Sequence, residues 1–306
     1  MSVGSIFGYP LQNDVFWYKE TTYSGGIPAT SRVTMWVSEV VTVARVDVAE
    51  TKKPLRGISE PSVIVFVSTT SDYTLHLEWV WEKTDTYSIV SDCVNRRAGG
   101  TFIGDLPSLA FVIRTNEVAS DKTYYLIKGG KCKNINIKSA TDDYYICSAD
   151  FSVASMTLSN TAPSYFTAPA KPTGGQYAFF NRVGSVVRKN STATIGYIVD
   201  GIDVTINNHL TDIWNNGIPW KQNSISGQMD ITGTAQVMLD HGGSNFNTYL
   251  YATMTDIVID TYNGNTLDVL TLTSAEWQGA TYEINNGDAP MKTAAKFTAK
   301  KATLGS

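Results

Sequence analysis

Apolar and polar residues alternate along much of this chain, and this pattern predicts β-strands. One face of the segment that begins at Leu75 carries Leu75, Leu77 and Trp79. The other face carries His76 and Glu78, so the period is two residues. Thr, Val, Ser and aromatic side chains are abundant, which also favours strands over helices. The sequence therefore predicts a mainly β protein.

The two halves of the chain show similar patterns in the same order. In each half a strand is followed by a polar loop, a second strand, a helical segment and a third strand. The corresponding segments are 45–50 with 203–208, 75–81 with 235–240, and 108–115 with 266–273. Few residues are identical, so the likeness lies in pattern and order. We interpret it as an internal duplication.

A short helix is predicted after the second strand of each half. Tyr87, Val90 and Val94 are spaced as they would be on one face of a helix. Arg97 falls in the predicted last turn, where a cation is favourable. A shorter helix is predicted over 245–254 in the second half.

Composition divides the chain into four segments. Residues 1–30 are rich in Gly, Ser, Tyr and Pro and predict an extended N-terminal arm. The Pro-, Gly- and Ser-rich stretch 161–175 predicts a connection between a first module at 31–160 and a second at 176–306. A long surface loop within one domain is the alternative for this stretch. A predicted loop over 116–128 has no match in the second half, which would make the modules unequal.

Charge and hydropathy exclude several classes of protein. The formal net charge is −4 and no basic patch is evident, which argues against a protein that grips nucleic acid phosphates. The first ten residues lack the basic and apolar regions of a secretory signal. The longest apolar run, residues 63–67, is far short of the roughly 20 residues that span a bilayer. No membrane segment is therefore predicted.

The sequence offers no motif for catalysis or metal binding. The three cysteines and three histidines are Cys93, Cys132, Cys147, His76, His209 and His241. They are too scattered to predict a metal site, and reduced buried thiols are favoured over a bridge between the second and third cysteines. No Gly-rich phosphate loop or HExxH motif occurs. We therefore predict no catalytic residue, no cofactor and no enzyme activity.

Three segments, taken in order, carry a resemblance to a known family. They are 55–61 with the strand through Trp81, 129–137 with its return strand through Phe151, and 202–210 followed by Ser226 and Gly227. Over most of the chain, from Val43 to Lys300, this order resembles the major tail tube proteins of tailed viruses, of the two-module type.

The resemblance implies a fold and an assembly. Each module would be a β-sandwich or half-open barrel with a short flanking α-helix. Modules would join side by side into a ring, and stacked rings would form the hollow tail tube that conducts viral DNA into the host. Two modules in each chain favour a homotrimer, which makes a pseudo-hexameric ring, over a hexamer of chains.

The same resemblance implies partners and a location. The partners would be other copies of the chain, tail proteins such as the tape measure, terminator and baseplate or tip, and genomic DNA passing without sequence specificity. The protein would be made in the host cytoplasm and would reside in the virion tail.

Two sets of residues are candidates for this assembly. A face lining the lumen would comprise Arg45, Asp47, Glu50, Asp203, Thr205 and Asn207. Loops that stack one ring on the next would contain Lys52, Lys53, Pro54, Trp214 and Trp220. A near-neutral or acidic lining suits a DNA conduit, because each cation in contact with phosphate adds affinity. Alternatively, the polar residues face solvent on a monomer, and the two tryptophans belong to a satellite core.

Two other functions are compatible with a β scaffold. The first alternative is a two-domain β-sandwich protein for carbohydrate binding or adhesion, with aromatic platforms for sugar. The second is a hydrolase, which would need a clustered pair of carboxyl groups among the 28 acidic residues.

Overall fold

The computed structural model describes most of the chain between residues 13 and 305. The described residues are 13–25, 35–38, 41–56, 63–81, 89–94, 97–98, 101–102, 105–116, 122–140, 144–164, 166–169, 186–189, 193–194, 199–215, 218, 220–238, 255–262, 267–282 and 292–305.

Strands dominate both halves, which confirms the prediction of a mainly β fold. The elements described in the first half are β1 (Asn13–Lys19), β2 (Met35–Trp36), β3 (Val41–Arg56), β4 (Val63–Val80), α1 (Ile89–Val94), β5 (Arg97–Ala98), β6 (Thr101–Phe102), β7 (Leu109–Asn116), β8 (Lys122–Ala140), β9 (Ile146–Val153) and β10 (Ser155–Ser159). Those in the second half are β11 (Val186–Lys189), β12 (Ala193–Thr194), β13 (Val199–Asn207), β14 (Leu210–Ile213), β15 (Asn223–Ser226), β16 (Asp230–Met238), β17 (Thr255–Tyr262), β18 (Leu267–Tyr282), β19 (Lys292–Ala299) and β20 (Lys301–Gly305).

Eight strands form one continuous antiparallel sheet, here called the central sheet. Its order is β3-β4-β9-β8-β13-β16-β19-β18, and β8 and β18 contribute only their C-terminal halves. The pairing of β8 with β13, over residues 134–140 and 201–207, joins the two halves of the chain. The N-terminal halves of β8 and β18 belong to two side sheets, β2-β1-β7-β8-β10 and β12-β11-β17-β18-β20.

The strand pairing of the second half repeats that of the first. Strands β1, β2, β3, β4, β7, β8, β9 and β10 correspond to β11, β12, β13, β16, β17, β18, β19 and β20. Thr42 and Asp200 are extra residues at corresponding points of β3 and β13. Lys133 and Gln278 are extra residues at corresponding points of β8 and β18. This repetition supports the predicted duplication, while the division into two tube modules stays a prediction.

One predicted correspondence between the two halves is wrong, because it matches a strand to the neighbour of its true counterpart. Segment 108–115 lies mostly in β7, whose counterpart is β17, whereas 266–273 lies mostly in β18, the counterpart of β8. Alternating strands of similar composition resemble one another, so pattern alone could not separate two neighbouring strands. The predicted loop 116–128 is also wrong, because residues 122–128 lie in β8 and correspond to part of β18.

Each long strand passes from a side sheet to the central sheet at a residue with positive φ. In β8 this residue is Gly129, with φ 68°, and in β18 it is Ser274, with φ 54°. The Gly129 N–H donates to Oε2 of Glu20 over 3.0 Å. The Ser274 N–H donates to Oδ1 of Asp256 over 2.9 Å. A carboxylate therefore fixes the backbone at both crossings.

The N-terminal segment contributes a core strand, so the predicted arm over 1–30 is wrong in its described part. Val15 and Trp17 of β1 are buried in the main core. Phe16 and Tyr18 are buried in a second cluster on the other side of the strand. Because both faces are covered, the run lacks the alternation that would have revealed a strand.

The helix and the cysteines were partly predicted. Helix α1 occupies Ile89–Val94, and Arg97 lies in the short strand β5 rather than in a last helical turn. The predicted helix 245–254 lies outside the described residues. All three cysteines are buried and free, which confirms the prediction of reduced thiols.

Substitutions at the two crossings should have opposite effects. Gly129→Ala should lower the free energy of unfolding by about 2 kcal/mol or more, because an added Cβ lies 2.6 Å from that of Ala154 at a positive φ. Ser274→Gly should raise it by up to about 1 kcal/mol, because glycine adopts positive φ without strain. Urea unfolding measures both, and a loss of stability in the glycine variant would contradict this account.

Candidate assembly surfaces

The central sheet ends in two edges that have a strand on one side only. Among the described residues, β3 pairs with β4 alone. At the other end, residues 279–282 of β18 pair with β19 alone. The outward backbone groups of such edge strands are a template for pairing with another chain.

Val48 marks the β3 edge as an incomplete surface. Its side chain is 51% exposed, although the two-residue period places it on the core side of the sheet with Val46. Its counterpart in β13, Ile206, is fully buried, because β13 has strands on both sides. A neighbouring strand beside β3 would cover Val48 in the same way.

Five of the six predicted lumen residues lie on one face of the central sheet. The strand register places Arg45, Asp47, Asp203, Thr205 and Asn207 on the face opposite the core. We call this surface the polar face.

Side-chain hydrogen bonds connect neighbouring strands across the polar face. Asn136 donates from Nδ2 to Oδ1 of Asp203 over 2.5 Å and to Oγ1 of Thr205 over 3.0 Å. His76 Nδ1 lies 2.6 Å from Oδ1 of Asp150. These contacts satisfy polar groups within the sheet and need no ligand.

Glu50 does not belong to the polar face. It lies an odd number of residues from Asp47, so it falls on the same side of β3 as Val46 and Val48. Its carboxylate lies 3.2 Å from Nζ of Lys52. The sequence-based assignment was wrong because it grouped Glu50 by polarity rather than by period.

The polar face carries more acids than cations. Apart from the cluster at its end that is described below, the register places three cations and six acids here among the residues whose side chains the structure describes. The cations are Arg45, Lys138 and Lys296, and the acids are Asp47, Glu78, Asp150, Asp203, Asp230 and Glu276. Lys133, the extra residue of β8, has no partner in the register. Such a face would attract few DNA phosphates.

Strands β3 and β4 continue beyond the rest of the central sheet as a two-stranded arm. Pairing of β4 with β9 ends at Tyr73, and the arm comprises residues 50–56 and 63–71. Seven residues at about 3.3 Å each extend it roughly 23 Å beyond the sheet. The prediction that Lys52, Lys53 and Pro54 form a loop is therefore wrong, because these residues lie within strand β3, while their part in stacking one ring on the next stays a prediction. An edge strand far from the core tolerates charges and proline, which made this segment resemble a loop.

The counterpart of the arm in the second half is the short hairpin of β14 and β15. Trp214 and Trp220 lie in its connection, and Trp220 is 50% exposed. Neither tryptophan is among the described core residues, so the satellite-core reading finds no support. Their contact with a neighbouring ring stays a prediction.

Lys221 attaches the β14–β15 hairpin to the first half of the chain. Its ammonium, almost fully buried, lies 2.5 Å from Oδ1 of Asp72 and 3.0 Å from Oδ2 of Asp212. It also donates to Oγ of Ser152 over 2.6 Å. The hydroxyls of Ser152 and Ser224 donate in turn to Asp212, over 2.9 and 2.5 Å.

Lys131 makes a second attachment on β8. Its Nζ lies 2.5 Å from Oδ2 of Asp105 and donates to the backbone oxygen of Ser224 over 2.5 Å. Asp105 also accepts hydrogen bonds from the backbone and hydroxyl of Ser226. Together the two lysines form a polar cluster that fixes β14 and β15 against β4, β8 and β9.

The pKa is shifted for Asp105 and Asp212 of the cluster and for Tyr23, whose phenol oxygen lies 3.4 Å from Oγ of Ser224. Burial alone would raise the pKa of Asp105, but hydrogen bonds from Lys131 and Ser226 outweigh it and the pKa is lowered. The pKa of Asp212 is lowered in the same way by Ser224 and Lys221. Burial raises the pKa of Tyr23 to about 12, so its phenol stays neutral.

Sequence reasoning missed the residues that matter most for these surfaces. In the sequence Val48 is one apolar position in an alternating strand, and it is unusual only because β3 has a single neighbour in the part of the chain that the structure describes. Lys131 and Lys221 stand in polar stretches, where a solvated lysine is the usual interpretation. Lys131 contacts Ser224, 93 residues away, and Lys221 contacts Ser152, 69 residues away, and no local pattern indicates such contacts.

Comparison with known proteins yields no assignment. The chain matches no known family model and no curated protein. In the described part of the chain, no group of three or more Cys, His, Asp or Glu side chains could hold a metal ion. No helix within the described ranges is long and apolar enough to cross a membrane. The tail tube resemblance stays a prediction.

Loss of the buried ammonium should destabilise the fold. Lys221→Met leaves Asp72 and Asp212 without their cation and should cost about 2–4 kcal/mol of unfolding free energy. The matched control is Lys52→Met, which removes an exposed ion pair with Glu50 and should cost no more than about 0.5 kcal/mol. Equal effects of the two variants in urea unfolding would contradict the role of the cluster.

Low pH should weaken the attachment of the β14–β15 hairpin to the first half of the chain. The folded pKa of Asp105 and of Asp212 is lowered, so their contribution is present above the ordinary carboxyl range near pH 4 and is lost as the pH falls through the folded pKa. Burial raises the pKa of Asp92, although the nearby Lys19 lowers it in part. The contribution of Asp92 to the pH dependence of stability therefore has the opposite sign to that of Asp105 and Asp212. Asp212→Asn should therefore flatten the loss of stability between about pH 5 and 2, measured by thermal unfolding. If Asp212→Asn left the slope of stability against pH unchanged, the contribution assigned to Asp212 would be contradicted.

Proposed function

We propose that this chain is a structural virion protein, a tail tube subunit that acts by self-assembly rather than by catalysis. Copies join edge to edge into rings, and the rings stack into the hollow tail tube that conducts viral DNA into the host. The observation that carries this proposal is the central sheet, in which two corresponding sets of four strands join side by side and, among the described residues, leave one open edge at each end.

The joint between β8 and β13 supplies a template for the joint between copies. β18 corresponds to β8, and β3 corresponds to β13, so β18 of one copy would pair with β3 of the next. Asn134 faces Asn207 within the chain, and the corresponding pair is Gly279 with Ala49 of the next copy. The next pair in this register is Ala280 with Val48, which would bury the exposed valine.

The number of strands favours a ring with a wide bore. Three copies contribute twenty-four strands to the wall of one ring. At a strand spacing of about 4.8 Å, the backbone diameter is at least about 37 Å, and strand tilt widens it further. Because each chain has two corresponding halves, three chains give six similar units, and a homotrimer with a pseudo-hexameric wall is preferred over a hexamer of chains.

The polar face would line the bore. Its excess of acids over cations gives passing DNA few points of attachment, which suits transport without sequence specificity. The core side would then face outward and be covered by the side sheets. Other tail proteins, such as the tape measure, terminator and baseplate or tip, would meet the ends of the tube in the virion.

A charge at the open edge should block assembly without unfolding the chain. Val48→Asp places a carboxylate on a side chain that is half exposed in the single chain, so stability should change by less than about 1 kcal/mol. The matched control is Leu158→Asp, which changes a residue 57% exposed on the side strand β10.

Light scattering and negative-stain microscopy give the readout. The unaltered chain and the Leu158 variant should form rings or tubes as concentration rises, and the Val48 variant should stay a monomer. A monodisperse monomer of the unaltered chain at all concentrations would overturn the proposal. Rings formed equally well by both variants would exclude the β3 edge.

A further inference from the structure

An open groove of about 630 Å³ lies where β19 turns into β20. Residues 227–232, residues 298–302 and Val94 line it. The groove combines apolar wall, at Ile231 and Ala302, with three charged residues, Asp230, Lys300 and Lys301. Nothing in the proposed joint between β18 and β3 accounts for it.

The corresponding corner of the first half, where β9 turns into β10, is filled. The register matches Asp230 to Asp72 and Thr298 to Ser152. Ser152 and the two residues after it are buried, at 4% exposure or less. Their counterparts, residues 298–300, are half-buried or exposed. The same corner of the fold is thus covered in one half and open in the other.

The β14–β15 hairpin covers the first corner. Lys221 reaches Asp72 and Ser152 there, and Asp212 accepts a hydrogen bond from Ser152. This hairpin follows β13 and therefore corresponds to the arm that follows β3. The corner of the first half is thus covered by the hairpin of the module joined to it.

We infer that the groove receives the base of the arm of a second copy, the copy whose β3 pairs with β18. This inference rests on the proposed function. Lys52 of the arm is 54% exposed, and in the assembly it would bring an ammonium to Asp230, whose Oδ2 lies 2.6 Å from Nε2 of His209, as Lys221 does to Asp72. The rest of the arm continues past the groove, because β3 continues as a strand to Arg56, whereas β13 ends at Asn207 and the chain turns at His209, with φ 45°.

Crosslinking between two single-cysteine variants tests this contact. Chains with Lys52→Cys and chains with Lys300→Cys are mixed before assembly and treated with a short bis-maleimide. The native cysteines are buried and should react slowly. A dimer should form in the mixture, several-fold more than with either variant alone. The control replaces Lys300→Cys by Lys122→Cys, an exposed lysine on a side sheet.

A parallel mixture of Val48→Cys with Ala280→Cys separates this inference from the proposed function. Dimers in both mixtures, and not with Lys122→Cys, support the groove contact. Dimers with the Val48 pair alone would overturn the groove contact but would still support the joint between β18 and β3. The groove would then bind a segment of its own chain or another protein. No dimers in either mixture would overturn both.

Discussion

Backbone hydrogen bonding across strand edges is the constraint on which the rest of this structure depends. Each interior strand of the central sheet has neighbours on both sides that satisfy its N–H and C=O groups. The joint between β8 and β13 extends that rule from one half of the chain to the other. Only β3 and the end of β18 have a single neighbour among the described residues, and in the proposed assembly another copy supplies the second neighbour.

A long strand passes between two sheets once in each half of the chain, at Gly129 in β8 and at Ser274 in β18. At each, one long strand leaves a side sheet and enters the central sheet, so a single element ties both layers together. Carboxylates of Glu20 and Asp256 hold the two turning points. The polar cluster around Lys221 then keeps the short hairpin against the first half, which fixes how the two halves meet. The assembly surfaces follow from these internal contacts.

Much of this fold was predictable from period and order, and the failures have physical causes. The correspondence of 45–50 with 203–208 agrees with the register, because one face of each strand is buried and alternation is clear. Strand β1 escaped detection because both of its faces are covered, and Lys52 was placed in a loop because the arm leaves the core. Val48 could not be recognised at all, since its exposure depends on β3 having a single neighbour among the described residues.

Amide hydrogen exchange before and after assembly tests the central claim most directly. In the single chain, alternate amides of β3 and of residues 279–282 face outward and should exchange fast, whereas those at the β8–β13 joint should be protected. On assembly, exchange at both edges should slow to the level of that joint. Assembled particles in which these edge amides still exchange as fast as in the monomer would contradict the account.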